Sequence, residues 1–392
     1  MDATLSWADR WLATRDRLVS NERFQRWASL FPLTRPFARR RARELFDLCA
    51  GFVYSQVLLA CVRLDLFGIL KDAPLDAQAL AQRLSLPQEA TDRLLAAAAS
   101  LRLVEQRSDG RFGLGVLGAA LVGNPGVVAM IEHHALLYAD LRDPVALLRG
   151  DRDRTELGRY WAYAGNADAA ALAPEQVAEY SELMAASQPL VTREILAAYP
   201  LHRHRQLLDV GGGDGSFVCA VAAAVPALRL HLFDLPAVAD RATARFAAAG
   251  LAQRASASGG DFRRDALPTG ADLITLVRVL FDHPDETVLE LLGAVRRAIA
   301  DDGTLLIAEP MAGTSGAEPM GAAYFGFYLM AMGRGRSRAP ADFERLLERA
   351  GFTDVRVLPT PSPLQTGLLV ARPKPGARRP AFESTSNTVN VT

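Results

Sequence analysis

Three aspartates in this chain, Asp209, Asp234 and Asp261, are spaced to meet around one nucleoside. Asp209 lies near the end of the strand-like run "QLLDV". It precedes a turn containing Gly211, Gly212, Gly213 and Gly215, and then the helix-like "SFVCAVAAAV". Glycines at a strand-to-helix turn leave backbone N–H groups open to a small polar ligand. A carboxylate just before that turn repels a pyrophosphate and suits a cationic ligand, or an ordered water beside an ammonium group. Asp234 follows the run "LRLHLF", where an acid accepts hydrogen bonds from both hydroxyls of a ribose. Asp261, in "SGGDF", follows a short third strand. It is placed to accept a nucleobase amino group while Phe262 packs on the ring. The three acids together favour a sulfonium cation over a phosphate-bearing cofactor. Ser216 points the same way, because it stands where a dinucleotide fingerprint has its third glycine.

These residues need a sheet to carry them. From position 206 strand-like and helix-like runs alternate through "LRLHLF", "PAVADRATARFAAA", "ADLITLVRVL", "DETVLELLGAVRRAIA" and "GTLLIAEP". Such alternation implies an α/β domain with a parallel sheet covered by helices. The last two runs, "TDVRVLP" and "QTGLLVARP", are joined by a link too short for a crossover helix, so they should pair antiparallel and reverse the final strand. Upstream, "RLDLFGIL" reads as one helix. "PLDAQALAQRLSL" and "PQEATDRLLAAAASLRLV" read as two more, and "LVEQRSDGRFGLG" as a hairpin turning at Asp109-Gly110. That order is the winged-helix layout. Its would-be reading helix offers Gln88, Glu89, Asp92 and Arg93 and then alanines, which speaks for packing or dimerisation rather than for DNA.

Composition sets wider bounds. Half of the 392 residues are hydrophobic, enough for a sizeable core, and 44 basic residues balance 44 acidic ones. Zero net charge argues against a whole-protein role on nucleic acid or anionic lipid. Cys49, Cys61 and Cys219 have no metal-binding spacing and read as buried thiols of a reducing, cytoplasmic compartment, with no metal expected. The start of the chain is charged, and the longest uncharged run, 48 to 62, is shorter than a bilayer span. Residues 22–43 are different. They set seven arginines against Glu22, with Phe24, Trp27, Phe31 and Phe37 among them. Two readings stand: a helical arm packing on a partner subunit, or a peripheral foot on a membrane surface, with arginines at lipid phosphates and rings at headgroup level. The expected division is an arm over 1–47, a winged-helix dimerisation domain with helical connector over 48–175, a catalytic domain over 176–372, and a disordered tail over 373–392.

The stretches "LLDVGGGDGSF", "LFDLPAV", "GGDF" and "LVRVLFDHPDE" followed by "GTLLIAEPM" resemble the successive motifs of class I S-adenosylmethionine-dependent O-methyltransferases of the plant-type small-molecule group. The resemblance covers nearly the whole chain before the tail. It implies a Rossmann-like class I methyltransferase sheet with a reversed last strand, and an N-terminal helical winged-helix domain that makes a homodimer. It also implies S-adenosyl-L-methionine as cofactor. Gly211 and Gly213 match the family's glycine turn, Asp234 with Leu235 its ribose-binding pair, and Asp261 with Phe262 its adenine-binding pair. Arg278 falls where a basic residue often stands near the donor, and Met184 and Gln188 resemble residues lining the donor methyl. Within the family the chain looks most like bacterial members acting on carotenoid hydroxyls, with members acting on bacteriochlorophyll precursors as neighbours. This implies an apolar substrate such as a carotenoid.

The base departs from the family pattern. Where the family has a His-Asp-Trp motif, this chain has Phe281-Asp282-His283, and Phe281 takes no proton. The remaining candidates are His283, two positions on, and His133 and His134 in a helix upstream. Glu309 resembles a residue that flanks the family's base. Three other functions stay open: bacteriochlorophyllide C-20 or other small-molecule methylation, an S-adenosylmethionine-sensing winged-helix DNA-binding regulator, and a nicotinamide oxidoreductase.

Overall fold

The computed structural model describes residues 6–150, 155–161, 174–316, 318–361 and 366–376. The tail expected to be disordered lies outside the described residues from 377 onward. The chain packs as two compact units that divide after Val122.

The first unit opens with three helices, α1 (Trp7–Val19), α2 (Glu22–Leu30) and α3 (Arg35–Arg63). It continues through α4 (Leu66–Leu70), α5 (Ala77–Leu84), α6 (Gln88–Ser100), the hairpin β1 (Val104–Gln106) and β2 (Phe112–Leu114), and α7 (Val116–Leu121). The helix, helix, hairpin order expected over 75–115 is present. The hairpin turns at Gly110, whose φ of 84° is the left-handed conformation that closes a short loop. Around it Cys61, Leu66, Phe67, Leu80, Leu95 and Val104 form the unit's core. "RLDLFGIL" is not one helix: α3 ends at Arg63, and Asp65, at φ 50°, breaks the chain before α4. The expected boundary at 47/48 falls inside α3, so the arm and the domain after it share one continuous helix. Cys49 is exposed rather than buried, because the α3 face that also carries Leu45, Phe46, Leu48 and Phe52 is uncovered in a single chain. By length and composition alone, α3 is apolar enough to cross a membrane.

The second unit begins with α8 (Pro125–Asp140), α9 (Pro144–Arg149), α10 (Glu156–Tyr160) and α11 (Pro174–Ala198). The helices expected as a connector therefore fall in the second unit rather than the first. A seven-stranded sheet follows, in the order β5-β4-β3-β6-β7-β9-β8. Its strands are β3 (Gln206–Val210), β4 (Arg229–Asp234), β5 (Ala255–Gly259), β6 (Leu273–Val277), β7 (Thr304–Glu309), β8 (Phe352–Leu358) and β9 (Gly367–Pro373). The first five run parallel, and β9 lies antiparallel to both β7 and β8, as the short link required. The helices α12 (Ser216–Ala224), α13 (Pro236–Ala248), α14 (Asp285–Ala298), α15 (Gly326–Met332) and α16 (Pro340–Arg349) complete the unit. Strands β3, β6 and β7 are buried almost throughout, so apolar clusters form on both faces of the sheet. The chain leaves β3 toward β4 on one side and reaches β6 on the other. That change of direction opens a crevice at the carboxyl ends of the strands, where open α/β sheets bind ligands.

One loop at that crevice is held from two sides. Residues 278–283 leave β6 and would be free to move if only their ends were fixed. Glu309, fully buried at the end of β7, accepts the N–H groups of Val279 (2.8 Å) and Leu280 (2.6 Å). Arg338, fully buried as well, donates to the carbonyls of Leu280 (2.7 Å) and His283 (2.7 Å) and pairs with Asp285 (2.7 Å). Asp285 is a third exposed and keeps Arg336 at 2.9 Å, so the loss on removing Arg338 falls on the Leu280 and His283 carbonyls, at about 1–3 kcal/mol for each acceptor left without a donor. Arg338→Met is therefore expected to lower unfolding free energy by about 3 kcal/mol in a urea titration. A loss of under about 1 kcal/mol would show that the loop holds without it.

Candidate functional site

A single crevice gathers the glycine turn and all three aspartates named by the sequence. Asp209, Gly211, Gly213, Asp234, Leu235, Asp261 and Phe262 line it, with Met184, Gln188, Arg278 and His283 completing its rim.

Asp209 is the most buried polar residue of the lining. It sits opposite Thr275 in the β3–β6 register, and the Thr275 hydroxyl donates to its Oδ1 at 2.6 Å. Its Oδ2 is buried and has no hydrogen-bond partner among the described residues. Burial without that second partner pushes the carboxyl up to about 7, with the nearby Asp234 charge adding to the rise. A carboxylate in this state lacks a donor or a cation. Gly212 allows the turn to pass over it, since a Cβ there would meet Oδ2 at 2.5 Å. Gly213, at φ 61°, has nothing within 4 Å of where a Cβ would stand, and its N–H donates to Asp234 Oδ2 at 2.8 Å. The other oxygen of Asp234 accepts Leu235 N–H at 2.7 Å. The two backbone bonds fix the carboxylate's orientation and leave it lone pairs for a ligand. Burial outweighs those bonds and raises it to about 6.

Asp261 differs from the expectation of three converging negative charges. Burial alone would raise it, but Arg263 chelates both its oxygens through Nε and a terminal nitrogen (2.8–3.1 Å) and holds it below the usual carboxylate range. The crevice therefore holds one under-satisfied carboxyl, Asp209, one held by two backbone N–H groups, Asp234, and one neutralised ion pair. Arg263, two residues beyond Asp261 in the same motif, was the signal the sequence reading passed over.

Arg278 stands at the exit of β6, as expected. Its φ of 57° is a left-handed conformation that strains a side-chain-bearing residue. The guanidinium explains why that strain persists. It donates to Ser187 Oγ (2.7 Å), the Met184 carbonyl (2.9 Å) and Gln188 Oε1 (2.6 Å), tying α11 to the sheet. The same helix contains Pro189, which has no N–H to offer the carbonyl of Ala185, itself on the crevice wall.

Of the three histidines named as candidate bases, only His283 lines the crevice. It lies edge-on to Phe262 at 5.5 Å, on the side where the nucleobase was expected. Burial, with Arg263, Arg334 and Arg338 adding to it, pulls it down to about 4, so it is a weak proton acceptor. His133 and His134 lie away from that lining, each 2.7 Å from a tyrosine hydroxyl, Tyr328 and Tyr324 respectively. Nothing in the sequence pairs those histidines with residues some 190 positions away. Glu309 does not reach the crevice lining; it fixes the backbone of the loop instead.

The O-methyltransferase domain family matches residues 138–353, and the O-methyltransferase dimerisation domain matches residues 46–124. The demethylspheroidene O-methyltransferase of Cereibacter sphaeroides is 46% identical over 88% of this chain and 90% of its own. The enzyme of the same name from Rhodobacter capsulatus is 42% identical over 91% of this chain and 88% of its own. Among solved structures, the S-adenosylmethionine-dependent methyltransferase SibL superposes with a TM-score of 0.72 at 26% identity, covering 84% of this chain and 99% of that one. CalO1, a methyltransferase of calicheamicin biosynthesis solved with S-adenosylhomocysteine, gives 0.71 at 26% identity, over 85% and 98%.

Proposed function

The chain belongs to the O-methyltransferase family, and from that premise we propose that it transfers the methyl group of S-adenosylmethionine to the tertiary 1-hydroxyl of an acyclic carotenoid. The observation that carries the substrate is the 46% identity with a demethylspheroidene O-methyltransferase, sustained over 88% of the chain. It works as a homodimer through the domain at 46–124.

The crevice fits the cofactor. A buried Asp209 oxygen without a partner calls for a donor or a cation, and an adenosyl-amino-acid sulfonium offers both. The bound cofactor supplies an electrophilic methyl group on a positively charged sulfur. Asp234, steadied by Gly213 and Leu235, accepts the ribose hydroxyls. Phe262 and His283 wall the nucleobase, and Asp261 reaches its amino group by sharing oxygens with Arg263. Arg278 holds Met184 and Gln188 in place at the rim facing the methyl. His283 serves this reading as a wall rather than as a base.

A tertiary aliphatic alcohol does not ionise at neutral pH, so its proton leaves during or after carbon–oxygen bond formation. Alignment and exclusion of water then supply most of the acceleration. The second reading that an observation favours concerns location. Trp27, Leu30, Leu33 and Phe37 are exposed beside the arginines of 22–43, the arrangement of a cytoplasmic enzyme resting on a membrane that dissolves its substrate.

Three outcomes test these statements. Purified protein given labelled S-adenosylmethionine and a 1-hydroxy carotenoid in detergent should yield a labelled methyl ether. Folded, cofactor-binding protein that yields none would overturn the substrate. Calorimetric affinity for S-adenosylhomocysteine should be constant above about pH 7 and fall by up to about tenfold per unit below it. The reason is that protonating Asp209, at about 7 in the free protein, removes the charge that the ligand's ammonium group meets. Asp209→Asn should weaken binding and flatten that profile; an unchanged profile would remove Asp209 from the site. Finally, the protein should sediment with anionic vesicles at low salt and not at high salt. Arg39→Glu, Arg40→Glu and Arg41→Glu together should abolish the effect, and sedimentation that ignores salt and these changes would contradict the membrane foot.

A further inference from the structure

Two histidine–tyrosine pairs of equal length stand side by side and differ only in their surroundings. His133 and His134 are neighbours on α8, so their side chains diverge by about 100° around the helix. Their partners, Tyr328 and Tyr324, are four residues apart on the segment running from the π-helical turn Met320–Phe325 into α15. Each histidine Nε2 lies 2.7 Å from its tyrosine oxygen. The first pair is sealed. His133 is 8% and Tyr328 5% exposed, Trp161 Nε1 donates to the Tyr328 oxygen at 2.8 Å, and the Tyr160 ring covers His133 at 4.6 Å. The second pair is less sealed, with both residues only partly buried.

That second pair is joined to the crevice by aromatic packing. Tyr324 meets Phe325 at 4.8 Å, and Phe325 meets Phe281 at 6.1 Å. Phe281 belongs to the clamped loop, two residues before His283. Met184, on the crevice rim, packs in the same apolar cluster as Tyr324 and Phe281. Met184, Phe281 and Phe325 thus form apolar packing between the crevice and a polar, proton-accepting pair, Tyr324 and His134. A π-helical turn at this place is the kind of irregularity that aims a side chain at a functional site.

We propose that Tyr324 is the residue that takes the hydroxyl proton of the methyl acceptor, with His134 behind it as the positioning residue that receives the tyrosine's own proton. The inference rests on the methyltransferase reading given above. The acceptor oxygen forms a bond to the methyl carbon while the sulfur–carbon bond breaks, its electron pair staying on sulfur to give a neutral thioether. The hydroxyl proton passes to the Tyr324 oxygen, and the Tyr324 proton passes to His134 Nε2, leaving an imidazolium that releases its proton to solvent. His134 meets the requirement for an acceptor. Burial lowers its affinity for a proton and so keeps it neutral at rest, with Nε2 facing the tyrosine. A weak acceptor suffices, because a protonated ether is a far stronger acid than an imidazolium.

The assay of carotenoid methyl ether formation separates this from the reading it rests on: transfer by the unmodified enzyme checks the reading, and the variants check the inference. Tyr324→Phe and His134→Gln should each lower kcat by about tenfold or more, the usual contribution of a positioned acid–base group being about 100-fold or greater. The KM for S-adenosylmethionine and the melting temperature should stay near those of the unmodified enzyme. Tyr328→Phe, in the sealed pair, should lower the melting temperature and leave kcat within about threefold. A Tyr324→Phe enzyme with unchanged kcat would overturn the inference.

Discussion

The site depends on a carboxylate buried with half of its hydrogen-bonding capacity unmet. Taking an acid out of water costs free energy that only a matching donor or cation returns. Asp209 receives one hydroxyl, from Thr275, and among the described residues nothing else. The sheet puts it there: β3 is the strand from which the chain departs in both directions, so its carboxyl end lies at the base of the crevice. A satisfied Asp209 would make a more stable protein and a poorer receptor. Such a carboxyl, raised to about 7, remains partly protonated until a positive ligand arrives, so the ligand's charge settles the proton as well as the contact.

Around that carboxylate the protein spends charge on rigidity. Glu309 and Arg338 are both fully buried, and both act on the backbone of one loop: the acid accepts its N–H groups, and the guanidinium donates to its carbonyls. Arg278 does the same between sheet and α11, and its strained backbone shows that the three hydrogen bonds outweigh the local cost. None of these three groups needs to touch a reacting atom. They set where Met184, Phe281 and His283 stand, and placement is what an in-line displacement requires.

How much of this the sequence revealed follows from distance along the chain. Asp209, the glycine turn, Asp234 and Phe262 were legible because strand ends and turns are local patterns, and a parallel sheet brings equivalent ends together. The order of the last strands was legible for the same reason, from the length of one link. Asp261 lines the same crevice, but its pairing with Arg263 was not legible, since that chelate is a matter of side-chain direction. The break at Asp65 was hidden because the apolar pattern continues across it while the backbone does not. Cys49 looked buried because apolar neighbours in sequence were taken for neighbours in space. Arg338 is 53 residues from Asp285, and the tyrosines are about 190 from their histidines. No periodicity records such contacts.

The two histidine–tyrosine pairs show how one local pattern takes on two roles. Identical neighbours on a helix cannot share an environment, because a single step rotates the side chain by about 100°. One pair turns into the core, where Trp161 adds a further hydrogen bond to its hydroxyl and a change costs stability. The other is only partly buried and packs in the same cluster as Phe281, which has no proton-accepting atom. The ring at position 281 keeps that cluster apolar, as a hydrocarbon substrate would require of the surface it meets. A polar ring there would solvate the very surface that a polyene must wet. On the proposal that Tyr324 takes the proton, residue 281 is free to remain an apolar ring, and the polar atoms are confined to the His134–Tyr324 pair packed in the same cluster.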